Sequence, residues 1–175
     1  MQARSDTLLV DDFADSELIS ALGTKWRGVS DKVMGGVSIV RLERGNAEGR
    51  AFLRLKGDVR LENNGGFVQA ALDLEPSGGV LDASGYRGLR ITVRGNSQKY
   101  SLHLRTSDAT LPWQSYRAHF FASDRWQEID IPFADFVPYR IDKALDTKSL
   151  KRIGVVAIGR AFSADVLISN MYFYE

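Results

Sequence analysis

The sequence has no cysteine. That excludes disulfides, thiolate nucleophiles and cysteine-bound metals, and it fits a reducing compartment. Proline occurs only four times in 175 residues, too seldom for a Pro-rich linker or low-complexity chain. Charge of one sign is also missing: 23 basic against 22 acidic residues leave a net +1. No global field draws nucleic acid, so nucleic acid is an unfavoured partner, and any charged partner must meet a local patch. No apolar run approaches the roughly 18 residues of a membrane-spanning helix. The opening residues MQARSDTLLVDDF lack the apolar core, about seven residues or more, of a signal peptide, and Met1 to Thr7 is too short for a transit segment. A soluble, cytoplasmic protein of bacterial type is expected.

What is present is apolar substance and turns. Apolar residues make up 44% of the chain and glycine appears 16 times, enough for one ordinary domain over residues 1–175 with its own core. Leu8 to Val10 reads as an edge strand. Ser16–Leu22 reads as a short helix, capped by Asp15 or Ser16 and stopped by Gly23. From Val37 the apolar period becomes two. Val37, Ile39 and Leu42 mark a strand ending at a turn over Arg44-Gly45-Asn46. Ala51–Val59 follows, broken at Gly57, and then Phe67–Leu74. Leu89-Ile91-Val93, Tyr100-Leu102-Leu104, Tyr116-Ala118-Phe120, Trp126–Ile131, Ile153–Ile158 and Val166–Tyr174 complete the series. Thr147–Arg152 is a second helix candidate. The longest expected loops are Ser107–Gln114 and Pro138–Asp146. About nine or ten strands with frequent turn signals, and no long helices between them, predict an all-β antiparallel sandwich or closed barrel rather than a βαβ fold.

Two glycine-containing clusters stand out. One is the stretch from Trp26 to Ser38, with Asp31, Lys32, Met34 and Gly35-Gly36. The other is Glu62-Asn63-Asn64-Gly65-Gly66-Phe67, which is expected to face the first. Neither precedes a Gly-Lys-Ser/Thr or opens a long helix, so neither is a phosphate loop. They are either tight turns at strand starts or a shared rim that meets a ligand.

Parity assigns a third feature. If Leu102, Leu104, Ala118 and Phe120 face the core, then His103, Arg105, Arg117 and His119 share the other face. An in-register hairpin would set His103 opposite His119 and Arg105 opposite Arg117. Like charges directly opposite cost up to about 1 kcal/mol, so either an acidic neighbour or an anionic partner should accompany them. Two histidines without a third ligand do not make a metal site. No Gly-x-Ser-x-Gly elbow is present, and nothing selects a working pair from Asp31, Asp58, Glu62, Asp108 and Asp130. No enzyme, metal or cofactor is therefore expected, although a structural Ca²⁺ at a loop is left open. Trp113 and Tyr116 flank a probable loop, either tucked over the core end or exposed as anchors. Trp26 and Trp126 are assigned to the core.

The stretch Trp26…Val29-Ser30-Asp31-Lys32-Val33-Met34-Gly35-Gly36-Val37-Ser38 resembles the hallmark of the complex I intermediate-associated protein 30 family. Asn63-Asn64-Gly65-Gly66-Phe67, Arg94-Gly95 with Tyr100-Ser101-Leu102, and Pro112-Trp113-Gln114-Ser115-Tyr116 add to the resemblance. Trp126-Gln127-Glu128-Ile129 with Ile131-Pro132-Phe133-Ala134-Asp135-Phe136 completes it, from about Phe13 onward. The resemblance implies a galactose-binding-like jelly roll with one or two short helices. It also implies an assembly factor that binds intermediates of respiratory NADH:ubiquinone oxidoreductase. The expected function is a non-enzymatic protein-binding module, with a carbohydrate-binding module as the alternative. Two surfaces are expected to serve it: the rim of Asp31, Lys32, Met34, Asn63 and Asn64, and the face of His103, Arg105, Arg117 and His119 edged by Trp113 and Tyr116.

Overall fold

The computed structural model describes residues 7–175; residues 1–6, part of the segment read as too short for transit, lie outside that range. The strands run β1 Thr7–Asp11, β2 Arg27–Ser30, β3 Ile39–Ala47, β4 Arg50–Val59, β5 Phe67–Asp73, β6 Gly88–Gly95, β7 Gln98–Thr106, β8 Ser115–Ala122, β9 Gln127–Pro132, β10 Val137–Tyr139, β11 Leu150–Ile158 and β12 Phe162–Tyr174. They form two six-stranded sheets. The first has the order β3-β4-β12-β6-β9, with β1 also paired to β12, and the second has the order β10-β8-β7-β11-β5-β2. All pairings are antiparallel. This is the expected jelly-roll sandwich.

Alternation builds the core. Leu53 and Leu55, Leu89 and Val93, Leu102 and Leu104, Ile153 and Val155, and Val166 and Ile168 are fully buried between the sheets. Each such side chain contributes about 1.5–3 kcal/mol. A one-residue slip of β7 would expose Leu102 and Leu104 and bury His103 and Arg105 instead, so its faces are strongly set. Trp26 closes one end of the core. Its indole Nε1 donates to the buried Asp11 carboxylate at 2.8 Å.

Several local expectations are corrected. Ser16–Leu22 is not helical. Leu18 takes φ 63°, Ser20 N–H donates to Thr24 O at 2.6 Å, and the Ser20 and Thr24 hydroxyls bond each other at 2.9 Å. Those local hydrogen bonds offer the backbone a loop in place of a helix. Thr147–Arg152 is not helical either, because β11 begins at the buried Leu150. The helical content of the described residues is three short 3₁₀ turns, Asp31–Met34, Glu62–Asn64 and Phe133–Asp135. The strand β3 runs through Arg44-Gly45-Asn46 to a turn at Glu48-Gly49, and β4 continues through Gly57. Trp126 is not a core residue: it lies half-buried beside Phe52, 6.3 Å between ring centroids, with the Arg50 guanidinium 5.0 Å from its ring.

Candidate binding surfaces

The rim is organised by one buried carboxylate. The strand β2 ends at Ser30, whose hydroxyl accepts from Lys32 N–H at 3.3 Å and caps the first 3₁₀ turn. Asp31 is 0% exposed. Its Oδ1 accepts from Ser38 N–H at 2.9 Å. Its Oδ2 accepts from the Ser38 hydroxyl, from Gly66 N–H at 2.6 Å and from Phe67 N–H at 3.3 Å. The two clusters therefore meet, as expected, and Asp31 is what joins them. Burial pushes the Asp31 carboxyl upward; the hydrogen bonds from Ser38, Gly66 and Phe67 outweigh burial and hold it below the ordinary carboxylate range.

The glycines follow from this carboxylate. A Cβ on Gly36 would collide with Asp31 Oδ1, and one on Gly65 would sit 2.5 Å from Oδ2. Asn63 and Asn64 take φ 59° and 58°, left-handed conformations that asparagine tolerates better than most residues. Asp31 is thus structural, with both oxygens occupied. What it presents to solvent is Lys32, Val33 and Met34 from one loop and Leu61, Asn63 and Asn64 from the other, all exposed.

The second surface is the outward face of the second sheet. Parity there is as expected: Leu102, Leu104, Ala118 and Phe120 are buried, while His103, Arg105, Arg117 and His119 point away from the core. The register is not. It is shifted by two residues, so His103 pairs with Arg117 and His119 with Ser101. The feared Arg105–Arg117 opposition is thereby avoided. Ser101 Oγ and His119 Nδ1 are hydrogen-bonded at 2.8 Å.

Each member of this face has a definite setting. Arg105 donates to Ala109 O at 3.0 Å and Pro112 O at 3.2 Å, and so holds the loop between β7 and β8. Gln114 locks the same loop, its Oε1 accepting from Thr110 and Leu111 N–H at 3.0 Å. From this braced loop Trp113 stands 47% exposed. Tyr116 is a correction: it lies on the core face, fully buried, and its hydroxyl donates to Lys143 O at 2.8 Å. The aromatic at the edge is instead Tyr139 of β10. The Arg117 guanidinium lies 3.6 Å from its ring centroid, and Arg117 Nε donates to Ser115 Oγ at 2.9 Å. His103 is held far down, to about 3, by burial first and then by the charges of Arg117 and His119. Its Nε2 is buried with no hydrogen-bond partner.

The floor between these side chains is small. Ser101, Gly154, Val156 and Ala71 are buried on the outward side, and a Cβ on Gly154 would strike Oε1 of Gln69, whose amide lies across it. Asp73, the one carboxylate among the strand residues of this face, is held by Arg152 at 2.9 Å and Arg27 at 3.4 Å. That leaves Lys99, Arg105 and Arg117 without an ion-pair partner among the described residues. Sequence reasoning missed Lys99 and exposed Phe121. The same parity rule names both, since Lys99 shares a face with His103 and Phe121 with His119. It had no means to find Tyr139, because Pro138–Asp146 read as loop.

Of the carboxylates considered for acid–base work, Asp31 is enclosed, Glu62 pairs with Arg60, Asp108 with Lys143 and Asp130 with Arg90, while Asp58 stands exposed with no ion pair among the described residues. Among the described residues no three His, Asp or Glu side chains converge as a metal-binding group. None of their helices is long and apolar enough to cross a membrane.

Residues 12–165 match the family described as Complex I intermediate-associated protein 30. The chain belongs to that family. The hallmark stretch is, in this member, the loop wrapped around Asp31. A comparison with curated protein sequences gave no match. Among solved structures, the chain is similar to a family 11 carbohydrate-binding module from Clostridium thermocellum in complex with a β-1,3-1,4-mixed-linked tetrasaccharide. The TM-score is 0.75 at 13% identity, over 98% of this chain and 97% of that one. It is also similar to a family 30 carbohydrate-binding module of a cellulosomal cellulase from the same organism, with TM-score 0.69 and 18% identity over 96% and 98% of the two chains. At such identities the likeness is one of fold.

Proposed function

We propose that this family member is a non-catalytic binding module that holds a protein partner on the outward face of its second sheet. The setting would be the one its family description names, an intermediate in the assembly of complex I. One observation carries this reading: an outward sheet face with Lys99 and Arg117 lacking ion-pair partners among the described residues, a buried floor of small residues, and exposed Trp113, Phe121 and Val137 around it. Unpaired guanidinium and ammonium groups form strong charge-assisted bonds to carboxylates, and exposed aromatics anchor interfaces. The enclosed Asp31 and the ion-paired Glu62, Asp108 and Asp130 support the non-catalytic part.

Carbohydrate binding is the second reading, favoured by exposed Trp113 at the edge of the same face. Against it, Tyr116 is buried, the Tyr139 ring is covered by Arg117, and the floor of Ser101, Gly154, Val156 and Ala71 offers no ring for a sugar to stack upon. The test is affinity capture from source-cell extract with quantitative mass spectrometry, beside a glycan array. The native chain is compared with Lys99→Gln/Arg117→Gln and with Lys56→Gln/Arg94→Gln, the same charge change on the other sheet. A protein lost only with the first variant supports the proposal. Glycan binding with no captured protein overturns it.

A further inference from the structure

At one end of this face a cavity of about 200 Å³ is lined by Lys99, Ser101, His119, Ile158, Gly159 and Arg160. Its basic groups come from separate elements: Lys99 from β7, His119 from β8, and Arg160 from the connection between β11 and β12. No carboxylate is among the lining residues. Arg160 is already positioned. Its guanidinium lies 3.9 Å from the Phe162 ring centroid and one Nη2 donor reaches Gln98 Oε1 at 2.5 Å, leaving further donors of the fork unused. His119 engages Ser101 through Nδ1, while its Nε2 makes no hydrogen bond among the described residues. The Lys99 side chain makes no hydrogen bond or ion pair within the described residues. Burial, then the charges of Lys99 and Arg117, holds His119 below its ordinary range, as expected of an imidazole among cations with no anion beside them.

We infer that this cavity is a seat for a carboxylate side chain of an acidic, extended segment of the protein partner. The inference rests on the proposed protein-binding role and names the chemistry of the partner. The cavity is smaller than the roughly 300–1,000 Å³ of pockets that enclose a whole small ligand, and it suits one anionic side chain. The small floor at Ser101 and Val156 leads away from it. Phe121, 55% exposed and paired across the strands with Lys99, offers an apolar contact to the residue beside the acid.

The test is an NMR titration of the ¹⁵N-labelled chain at low salt with acetyl-Glu-Glu-Phe-Glu-amide, its Gln counterpart, and inorganic phosphate. The Glu peptide is expected to shift the amides of Lys99, Ser101 and Gly159 and to bind about tenfold more tightly than the Gln peptide. Lys99→Gln and Arg160→Gln, each checked for an unchanged thermal transition, should each weaken it several-fold, and Lys56→Gln/Arg94→Gln should not. Equal binding of the Gln peptide, equal or stronger binding of phosphate, or indifference to both pocket variants overturns the assignment. Partner capture separates the two levels. If Arg160→Gln retains a partner that the native chain captures, the pocket falls and the protein-binding role stands. If the native chain captures none, the role falls and the pocket assignment falls with it.

Discussion

Asp31→Asn is the substitution that most directly examines how the rim is held. The change is nearly isosteric, so packing is preserved and hydrogen bonding is altered. The carboxylate now accepts from three backbone amides and one hydroxyl, all at the 0%-exposed Asp31. With Asn, one oxygen becomes an NH₂ group. If the remaining oxygen faces Gly66 and Phe67, the NH₂ confronts the Ser38 N–H, donor against donor. The other orientation strands two amides. A buried donor left unsatisfied costs about 1–3 kcal/mol, and a bond to a charged acceptor exceeds a neutral one. The expected loss is about 2–4 kcal/mol, a drop in Tm of roughly 4–16 °C for a domain of this size. Asp31→Ala, which strands all three amides and leaves a cavity, should cost more still. Urea unfolding followed by tryptophan fluorescence and circular dichroism measures both. The pH dependence follows from the sign of the shift. The folded carboxyl lies below its unfolded value of 3.8, so its contribution is present above that pH and is lost as pH falls through the lower folded value. The gap between native and Asp31→Asn should therefore narrow below about pH 3.8. A loss under about 0.5 kcal/mol for Asp31→Asn at pH 7 would refute the idea that this carboxylate ties the two loops together.

Gly65→Ala should destabilise the chain by about 1–3 kcal/mol, because its Cβ would fall 2.5 Å from Asp31 Oδ2; chemical denaturation reads this, and a neutral outcome contradicts the close approach. His103 is expected to make stability fall with acidification. The folded imidazole stays neutral down to about 3 while the unfolded one protonates near 6.5, so roughly 1.4 kcal/mol is lost per pH unit between those values. His119, also held low, adds to the slope, and the difference between native and His103→Asn denaturation curves from pH 7 to 5 isolates the His103 part. Arg105→Gln should loosen residues 107–114, whose carbonyls at Ala109 and Pro112 it holds. Faster amide exchange there and a shifted Trp113 emission are the expected readouts, and unchanged exchange contradicts the bracing role.

Periodicity made most of the sandwich legible. Leu89-Ile91-Val93 and Tyr100-Leu102-Leu104 alternate so regularly that both the strands and their buried faces followed from parity alone. Register did not, because it is set by the β7–β8 loop, and the hydrogen bonds of Arg105 and Gln114 that shape it carry no periodic signal. The short β2 and β10 were missed for a related reason. Arg27–Ser30 contains Gly28 and Val137–Tyr139 contains Pro138, and both strands exist through pairing with β5 and β8. In the site, the two loops were legible as partners from their glycines, whereas the role of Asp31 was not. An Asp beside Lys in a glycine-rich loop looks like a surface charge, and only the arrangement of four donors around it makes burial the lower free energy. Arg105 and Arg117 were legible as face residues; that Arg105 braces the adjoining loop carries no periodic signal, and that Arg117 stacks on Tyr139 depends on a strand distant in sequence.

The outward face of the second sheet, as proposed above, is where the partner binds. The most direct measurement is the Kd of the purified, captured partner for the native chain, for Lys99→Gln/Arg117→Gln and for Lys56→Gln/Arg94→Gln, by biolayer interferometry at two salt concentrations. The first variant is expected to bind at least about tenfold more weakly, with a flatter salt dependence, and the second to stay within about twofold of native. Equal affinities for all three chains, or a greater loss in the variant of the other sheet, would contradict that placement.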